Sequence, residues 1–369
     1  MAHELNPLAG KPDRRTLLRT LGLAGLAPAL SSILPRSGGA DEGQPVYFGW
    51  AGYDDPGLIV VYVEAEGTSP EFSFWGDEEE GLLKVRGGFR PDVVFPCNYK
   101  IERWIDSGVL QPIDVSKLKN WPDILPALLD APGTVVNGEH YWVPVDWGRT
   151  SVAYRTDLAP EYVDNETWEI LWDPKYKSRV AVFDSLIDGA VVAGIVAGLT
   201  GPFDYSSEAA LETVAGKLKS LAENVRFFSN DATAMEQALA SGELVAATAW
   251  NYSAIRLIIE GLPVKLMSPR EGAMTWVCGL SLAKDAEHPE KGLALIDAYL
   301  DPRSRAWEIQ KFGFGGSTKG GFELVDEATL ASVGLSKNPD EILSAGIYQR
   351  PIKGEQKLQE LFEEIEAGI

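Results

Sequence analysis

Past residue 45 the chain alternates between short apolar runs with strand character and longer stretches with helical spacing. Residues 46–50 read as a strand that enters an aromatic turn, and residues 91–96 as a second strand ended by proline. The amphipathic stretch 100–107 stops at Gly108, a helix C-terminal signal. Strands are predicted over 141–145 and 151–154, flanking a polar Asp146-Trp147-Gly148-Arg149, and again over 179–183 and 244–250. Helices are predicted over 188–199, over 232–241 with a stop at Gly242, and over 290–300 with a stop at Asp301-Pro302; a charged amphipathic helix follows over 355–367. Alternation of this kind is the mark of an α/β architecture. No internal repeat interrupts it, and no Pro/Gly/Ser-rich joint divides it near the middle. Two lobes through which the chain passes more than once fit that absence better than two domains in tandem.

The first forty residues follow other rules. Asp13-Arg14-Arg15-Thr16-Leu17-Leu18 has the form of a twin-arginine export signal, and a weakly apolar stretch over 17–34 follows it. That stretch contains Arg19, Gly22, Gly25 and Pro28 and is too short and interrupted to span a bilayer. Gly38-Gly39-Ala40 offers the small residues that a signal peptidase needs, so the exported chain is expected to begin near Asp41, without a cysteine there to carry a lipid anchor. The remainder, about 330 residues, exceeds what one hydrophobic core usually supports.

Charge and composition remove several classes of function. Without residues 1–40, which hold five basic and two acidic side chains, the formal charge moves from −21 to −24. Such a surface repels nucleic acid and anionic lipid and attracts small cations without selecting among them. Of three histidines, His3 lies in the export segment, His140 in a turn-like Asn137-Gly138-Glu139-His140, and His288 ahead of Pro289 at a helix start. No metal-ligand spacing and no Gly-x-Ser-x-Gly elbow occur, so neither a metal nor another cofactor is expected, and nothing argues for an enzyme. The cluster Gly313-Phe314-Gly315-Gly316 ahead of Lys319 lacks phosphate-loop spacing and reads as a loop where the chain turns between lobes. Two cysteines, Cys97 and Cys278, permit one disulfide without requiring it.

Aromatic residues remain. Eleven Trp and twelve Tyr are many for such a chain, and Trp50, Tyr53, Tyr99, Trp147, Trp250 and Trp276 fall at predicted strand ends. Any one of them is more often core packing than ligand contact. As a set at strand ends, where α/β sheets place their crevice, they point to a binding cleft.

Five segments carry a resemblance to a known family: residues 91–96, 108–114, 171–177, 242–251 and 276–282. In this order and spacing they resemble the polyamine-type (spermidine/putrescine) periplasmic solute-binding proteins of ABC importers, within extracellular solute-binding protein family 1. The resemblance runs from about Val46 to Gly368. It implies a periplasmic-binding-protein-like type II α/β fold, a venus flytrap of two lobes joined by a multi-crossing hinge with the ligand cleft between them. Lobe one is expected over 41–148 and 278–321, and lobe two over 149–277 and 322–369. Periplasmic location, a monomeric state, and ABC permease and ATPase subunits as partners are implied as well.

Carried over by position, Trp50 and Tyr53 match the aromatic pair after the first strand, with Gly52 where an acid is typical. Cys97 and Tyr99 match the positions after the second strand. Ser185 and Asp188 match a pair of acids, Trp250 and Trp276 match the two tryptophans along the amine's hydrocarbon chain, and Gln349 matches a late polar contact. Cys278 stands where the family places an aspartate. Three carboxylates have thus become Gly, Ser and Cys, leaving Asp188, assisted by Asp184 or Asp146, to neutralise one or two ammonium groups. Arg149 follows the first lobe crossing and either meets a ligand carboxylate or forms a hinge salt bridge. A ligand with one amine and one carboxylate, an ω-amino acid, is expected, with a diamine and a quaternary ammonium as competitors. A sensor role is the alternative to an importer role. The two cysteines are expected as free thiols in the cleft wall, unless their Cα atoms lie within about 7 Å.

Overall fold

The computed structural model describes residues 43–368. The twin-arginine motif, the apolar stretch and the processing point expected over residues 1–40 lie outside the described residues. The strands are β1 (Val46–Gly49), β2 (Glu71–Phe74), β3 (Val93–Val94), β4 (Leu110–Gln111), β5 (Val143–Arg155) and β6 (Val180–Val182). They continue with β7 (Phe227–Phe228), β8 (Ala246–Trp250), β9 (Val264–Leu266), β10 (Met274–Ala283), β11 (Gly315–Gly316) and β12 (Ile347–Tyr348). Hydrogen bonding orders them β2-β1-β3-β10-β5-β8-β6-β7, with β4 and β12 beside β10, and β9 and β11 beside β5. Pairing is parallel at both ends of this path, β2-β1-β3 and β8-β6-β7, and antiparallel around the central pair β5–β10.

Helices cover the sheet, and the sequence explains their ends. Ala232–Ser241 is capped by Asp231, which accepts from the Ala234 N–H, and stops at Gly242 in the left-handed conformation. Pro289–Leu300 begins on proline and ends at Asp301, which caps the next helix, Pro302–Phe312. No described helix is long and apolar enough to cross a membrane.

Residues from Gly43 on form one compact unit, yet their buried apolar side chains gather in three clusters. The first draws on residues 47–147 and 277–343, with Ile255. The second draws on residues 152–274, with Leu358, Phe362 and Ile365. A smaller third, between Ala153 and Val264, lies under Ala232–Ser241 and its neighbours. The changeovers fall inside β5, between Trp147 and Val152, and inside β10, between Met274 and Val277.

Three expectations need correction here. The two short strands expected over 141–145 and 151–154 are one strand, Val143–Arg155. Asp and Gly at 146–149 suggest a turn, but Asp146, Trp147, Gly148 and Arg149 each pair with β10, at Cys278, Val277, Trp276 and Thr275. Gly148 is there because a Cβ would lie 2.1 Å from Cζ2 of Trp276. The helix expected over 188–199 is a π-turn, Ile187–Val191, leading into the short α-helix Val192–Val196. In the glycine cluster, Gly315 and Gly316 pair with Trp147 and Asp146 rather than looping free.

Candidate functional site

Strand ends converge where β1, β3 and β10 meet. After β1, the half-buried Trp50 lies edge-on to Trp75, with ring centroids 5.8 Å apart. Tyr53 packs edge-on against Phe95 at 4.4 Å, donates its hydroxyl to Asp146 Oδ2, and accepts the Tyr299 hydroxyl at its carbonyl. After β3 comes Cys97, disulfide-bonded to Cys278 with Cα atoms 3.9 Å apart. The free thiols expected are therefore not found. The two residues face each other across an antiparallel bridge, a proximity that 181 residues of separation conceal.

Asn98, between Cys97 and Tyr99, joins three segments. Its N–H donates to Val277 O at 2.8 Å, its Oδ1 accepts from Val277 N at 3.2 Å, and its Nδ2 donates to Gln349 O at 2.6 Å. Gln349 N donates to Thr275 O at 2.8 Å, so this late residue is brought to β10 and the second strand end.

Trp276, on β10, lies over Gly148 and meets Phe314 edge-on at 5.0 Å. Trp250, at the end of β8, is 43% exposed and stacks on Phe183 at 4.9 Å. Just beyond Phe183, Ser185 Oγ donates to Asp188 Oδ2 at 2.6 Å and accepts the Asp188 N–H at 3.1 Å. Asp188 is buried, its Oδ1 has no hydrogen-bond partner, and burial pushes its carboxyl up to about 7. The indole N–H groups of Trp50 and Trp276 are likewise buried without acceptors.

Two expected contributors are engaged elsewhere. Asp184 is exposed and interacts with Glu366. Arg149 sits one residue out of phase with Gly148 and Asp146, so β alternation turns it to the other face. Its guanidinium donates to Ser268 Oγ at 3.4 Å and to Gly334 O at 3.3 Å, and it forms no ion pair among the described residues.

Asp146 belongs to a buried ionic group instead. Arg305 and Glu308, both with fully buried side chains, pair with each other, and Arg305 Nη1 also donates to Val145 O at 3.1 Å. Burial raises the Asp146 carboxyl to about 6, against the opposing Tyr53 hydrogen bond and Arg305 charge. Burial also raises Glu308 strongly. Its Oδ2 accepts the Tyr53 hydroxyl, while Oδ1 of Asp146 is buried without a partner.

Sequence reasoning missed Glu78. It opens the helix Glu78–Arg86, whose first turn is Glu78-Glu79-Glu80 after the capping Asp77. Such a run reads as a solvated helix start. In the structure Glu78 is 4% exposed and its Oε1 accepts the Cys97 N–H at 2.8 Å. Phe314, the ring against Trp276, was also missed, because its glycine-rich surroundings read only as a turn. A surface groove of about 500 Å³, lined among others by Thr200, Phe203, Tyr348 and Arg350, contains none of the expected site residues.

Residues 82–325 match the family described as bacterial extracellular solute-binding protein. The chain is 26% identical over 349 residues to the spermidine/putrescine-binding periplasmic protein of Salmonella typhimurium, covering 93% of this chain and 97% of the relative. It is 26% identical over 320 residues to the putrescine/agmatine-binding protein of Pseudomonas aeruginosa, covering 80% and 83%. Among solved structures, the spermidine/putrescine ABC transporter substrate-binding protein PotD from Streptococcus pneumoniae matches with a TM-score of 0.74 at 21% identity, over 88% of this chain and 99% of that one. These proteins are solute-binding components and not enzymes, and the architecture is the type II periplasmic-binding-protein fold. With about two thirds of its length inside the matched region, the chain belongs to the bacterial extracellular solute-binding proteins.

Proposed function

We propose that the chain is the periplasmic substrate-binding component of an ABC importer for a small amine-bearing solute. The observation that carries this reading is Asp188. It is a buried carboxylate with an unpartnered oxygen, shortly after Phe183, the ring on which Trp250 stacks. The names of the relatives from Salmonella typhimurium and Pseudomonas aeruginosa support an amine as the solute. An ammonium offers the donors that Asp188 needs, and the rings of Trp50, Tyr53, Tyr99, Trp250 and Trp276 suit an alkyl chain or a cation. The buried indole N–H groups of Trp50 and Trp276 lack acceptors, which a carboxylate on the same ligand would supply. Both demands together favour an ω-amino-acid-like solute over a plain diamine, although Arg149 takes no part in holding its carboxylate. A quaternary ammonium suits the rings but has no N–H for Asp188.

Two lobes would close on this solute, one around the first buried cluster and one around the second and third. We put the last crossing near 343–347 instead of 321/322, a reading supported by the packing of side chains from Phe322 to Leu343 in the first cluster. Export by the twin-arginine route, a monomeric state, and docking on permease and ATPase subunits complete the proposal.

A thermal-shift screen of diamines, polyamines, ω-amino acids and quaternary amines tests it. A true ligand at 100 times its Kd adds roughly 2.7 kcal/mol of stability. Trp276→Ala should weaken binding by about 1–3 kcal/mol with the fold intact. A ligand that binds both proteins equally removes Trp276 from the site, and an absence of any amine ligand removes the reading.

A further inference from the structure

Asn98 lies between two residues of the candidate site, is 1% exposed, and uses its side chain where a strand would use its backbone. The ladder between β3 and β10 runs on past the ends of β3. Gly279 N donates to Pro96 O at 3.0 Å, Cys97 faces Cys278, and Asn98 N donates to Val277 O at 2.8 Å. There the chain leaves the sheet, because Cys97 O accepts the Lys100 and Ile101 N–H groups at the start of the helix Ile101–Asp106. The Val277 N–H is taken instead by Asn98 Oδ1 at 3.2 Å, and Nδ2 of the same side chain donates to Gln349 O at 2.6 Å. One of these partners is a donor and the other an acceptor, and both belong to the main chain. An asparagine amide serves the two at once, whereas an ionised aspartate offers no donor and an apolar residue offers neither.

Gln349 is what this side chain holds. Its N–H donates to Thr275 O at 2.8 Å and its carbonyl accepts from Asn98, so both of its main-chain groups are engaged. The residue is 6% exposed, yet its side-chain amide has no hydrogen-bond partner among the described residues. A clamped backbone that carries an uncommitted amide is the arrangement a binding contact needs.

We infer that Asn98 is a positioning residue of the binding site, which fixes Gln349 against the second strand end so that the Gln349 amide is held out to the solute. The role rests on the amine reading above and adds to it a neutral amide, able to donate to a ligand carboxylate or to accept from an ammonium.

Calorimetric titration of the purified chain with putrescine, spermidine and 4-aminobutanoate tests it, using wild type, Asn98→Ala, Gln349→Ala and the double variant. Each single variant should bind the amine that wild type binds roughly tenfold more weakly. The double variant should stay within about twofold of Gln349→Ala alone, since two residues that act through one contact do not add. Full additivity, or an Asn98→Ala affinity within about twofold of wild type, leaves Asn98 a brace of the fold at large and overturns the inference while the amine reading stands. A Gln349→Ala affinity within about twofold of wild type does the same, because Asn98 then has no contact to position. If wild type binds none of the three compounds, the amine reading falls and takes the inference with it. Should Asn98→Ala fail to fold, Asn98→Ser, whose shorter hydroxyl cannot bridge both partners, takes its place in the same cycle.

Discussion

Removing the Cys97–Cys278 bond should cost the protein a large part of its stability. The bond closes a loop of 181 residues. Loop-closure entropy for a loop of that length amounts to about 5 kcal/mol at 25 °C, and measured losses for native disulfides run from about 2 to 5 kcal/mol. Because the effect acts on the unfolded chain, the hydrogen bonds of Asn98 at the same corner do not replace it. A loss of about 3–5 kcal/mol is therefore expected for Cys97→Ala/Cys278→Ala, against a typical total of about 5–15 kcal/mol. Alanine is chosen because both positions are buried, at 3% and 6% exposure, where a serine hydroxyl would add a cost of its own. Urea unfolding followed by tryptophan fluorescence and by circular dichroism gives the difference. The slope should rise slightly as the unfolded chain loses its constraint. Wild type reduced with a phosphine should match the variant. A difference below about 1 kcal/mol, or two titratable thiols in the oxidised protein, would refute the argument.

Two other outcomes follow from the same corner and its carboxylates. Gly148→Ala places a Cβ 2.1 Å from Cζ2 of Trp276 and 2.8 Å from Asn251 Oδ1, so the ring must leave its seat. A shift of tryptophan emission with at least tenfold weaker ligand binding is expected, and unchanged values would show that the ring yields freely. In the ligand-free protein, burial raises Asp146, Asp188 and Glu78 to about 6, 7 and 8, so the folded state retains protons that the unfolded state has released. The unfolding midpoint should therefore fall as pH rises from 5 to 8, and an amine ligand should flatten that fall. Glu161, lowered to about 2 by Lys175, acts only at more acidic pH, and a midpoint that climbs across the window would contradict the burial of these carboxyls.

Local punctuation made much of the fold legible. Gly242 stops the helix Ala232–Ser241, Asp301-Pro302 stops Pro289–Leu300, and Pro96 follows β3, each by chemistry that acts within a few residues. The central strand was not legible, because pairing with β10 over a hundred residues away overrides the turn preference of Asp146 and Gly148. Trp50 and Tyr53 follow β1 and Tyr99 follows β3, where their place after the predicted strands puts them. The surroundings of the nearby acidic residues were not legible. Glu78 is hidden in an acidic run whose neighbours are exposed, and only the tertiary position of Cys97 N–H separates it from Glu79 and Glu80. Nor did the sequence disclose that Asp184 interacts with Glu366 or that Arg149 reaches the Gly334 carbonyl, contacts made with distant segments.

Strand β5 is fixed in register along most of its length. Residues 143–150 pair with β10, 150–154 with β8, 153–155 with β9, and Asp146 and Trp147 with β11. One residue inserted between Trp147 and Thr150 would turn every following side chain to the opposite face, exchanging Val152 and Tyr154 of one cluster for Ala153 of another. Loops elsewhere can lengthen at small cost, since closure entropy grows slowly with length. Descendants of this chain can therefore grow or shrink in their loops far more readily than in these thirteen residues, which act as a ruler against which both halves are measured.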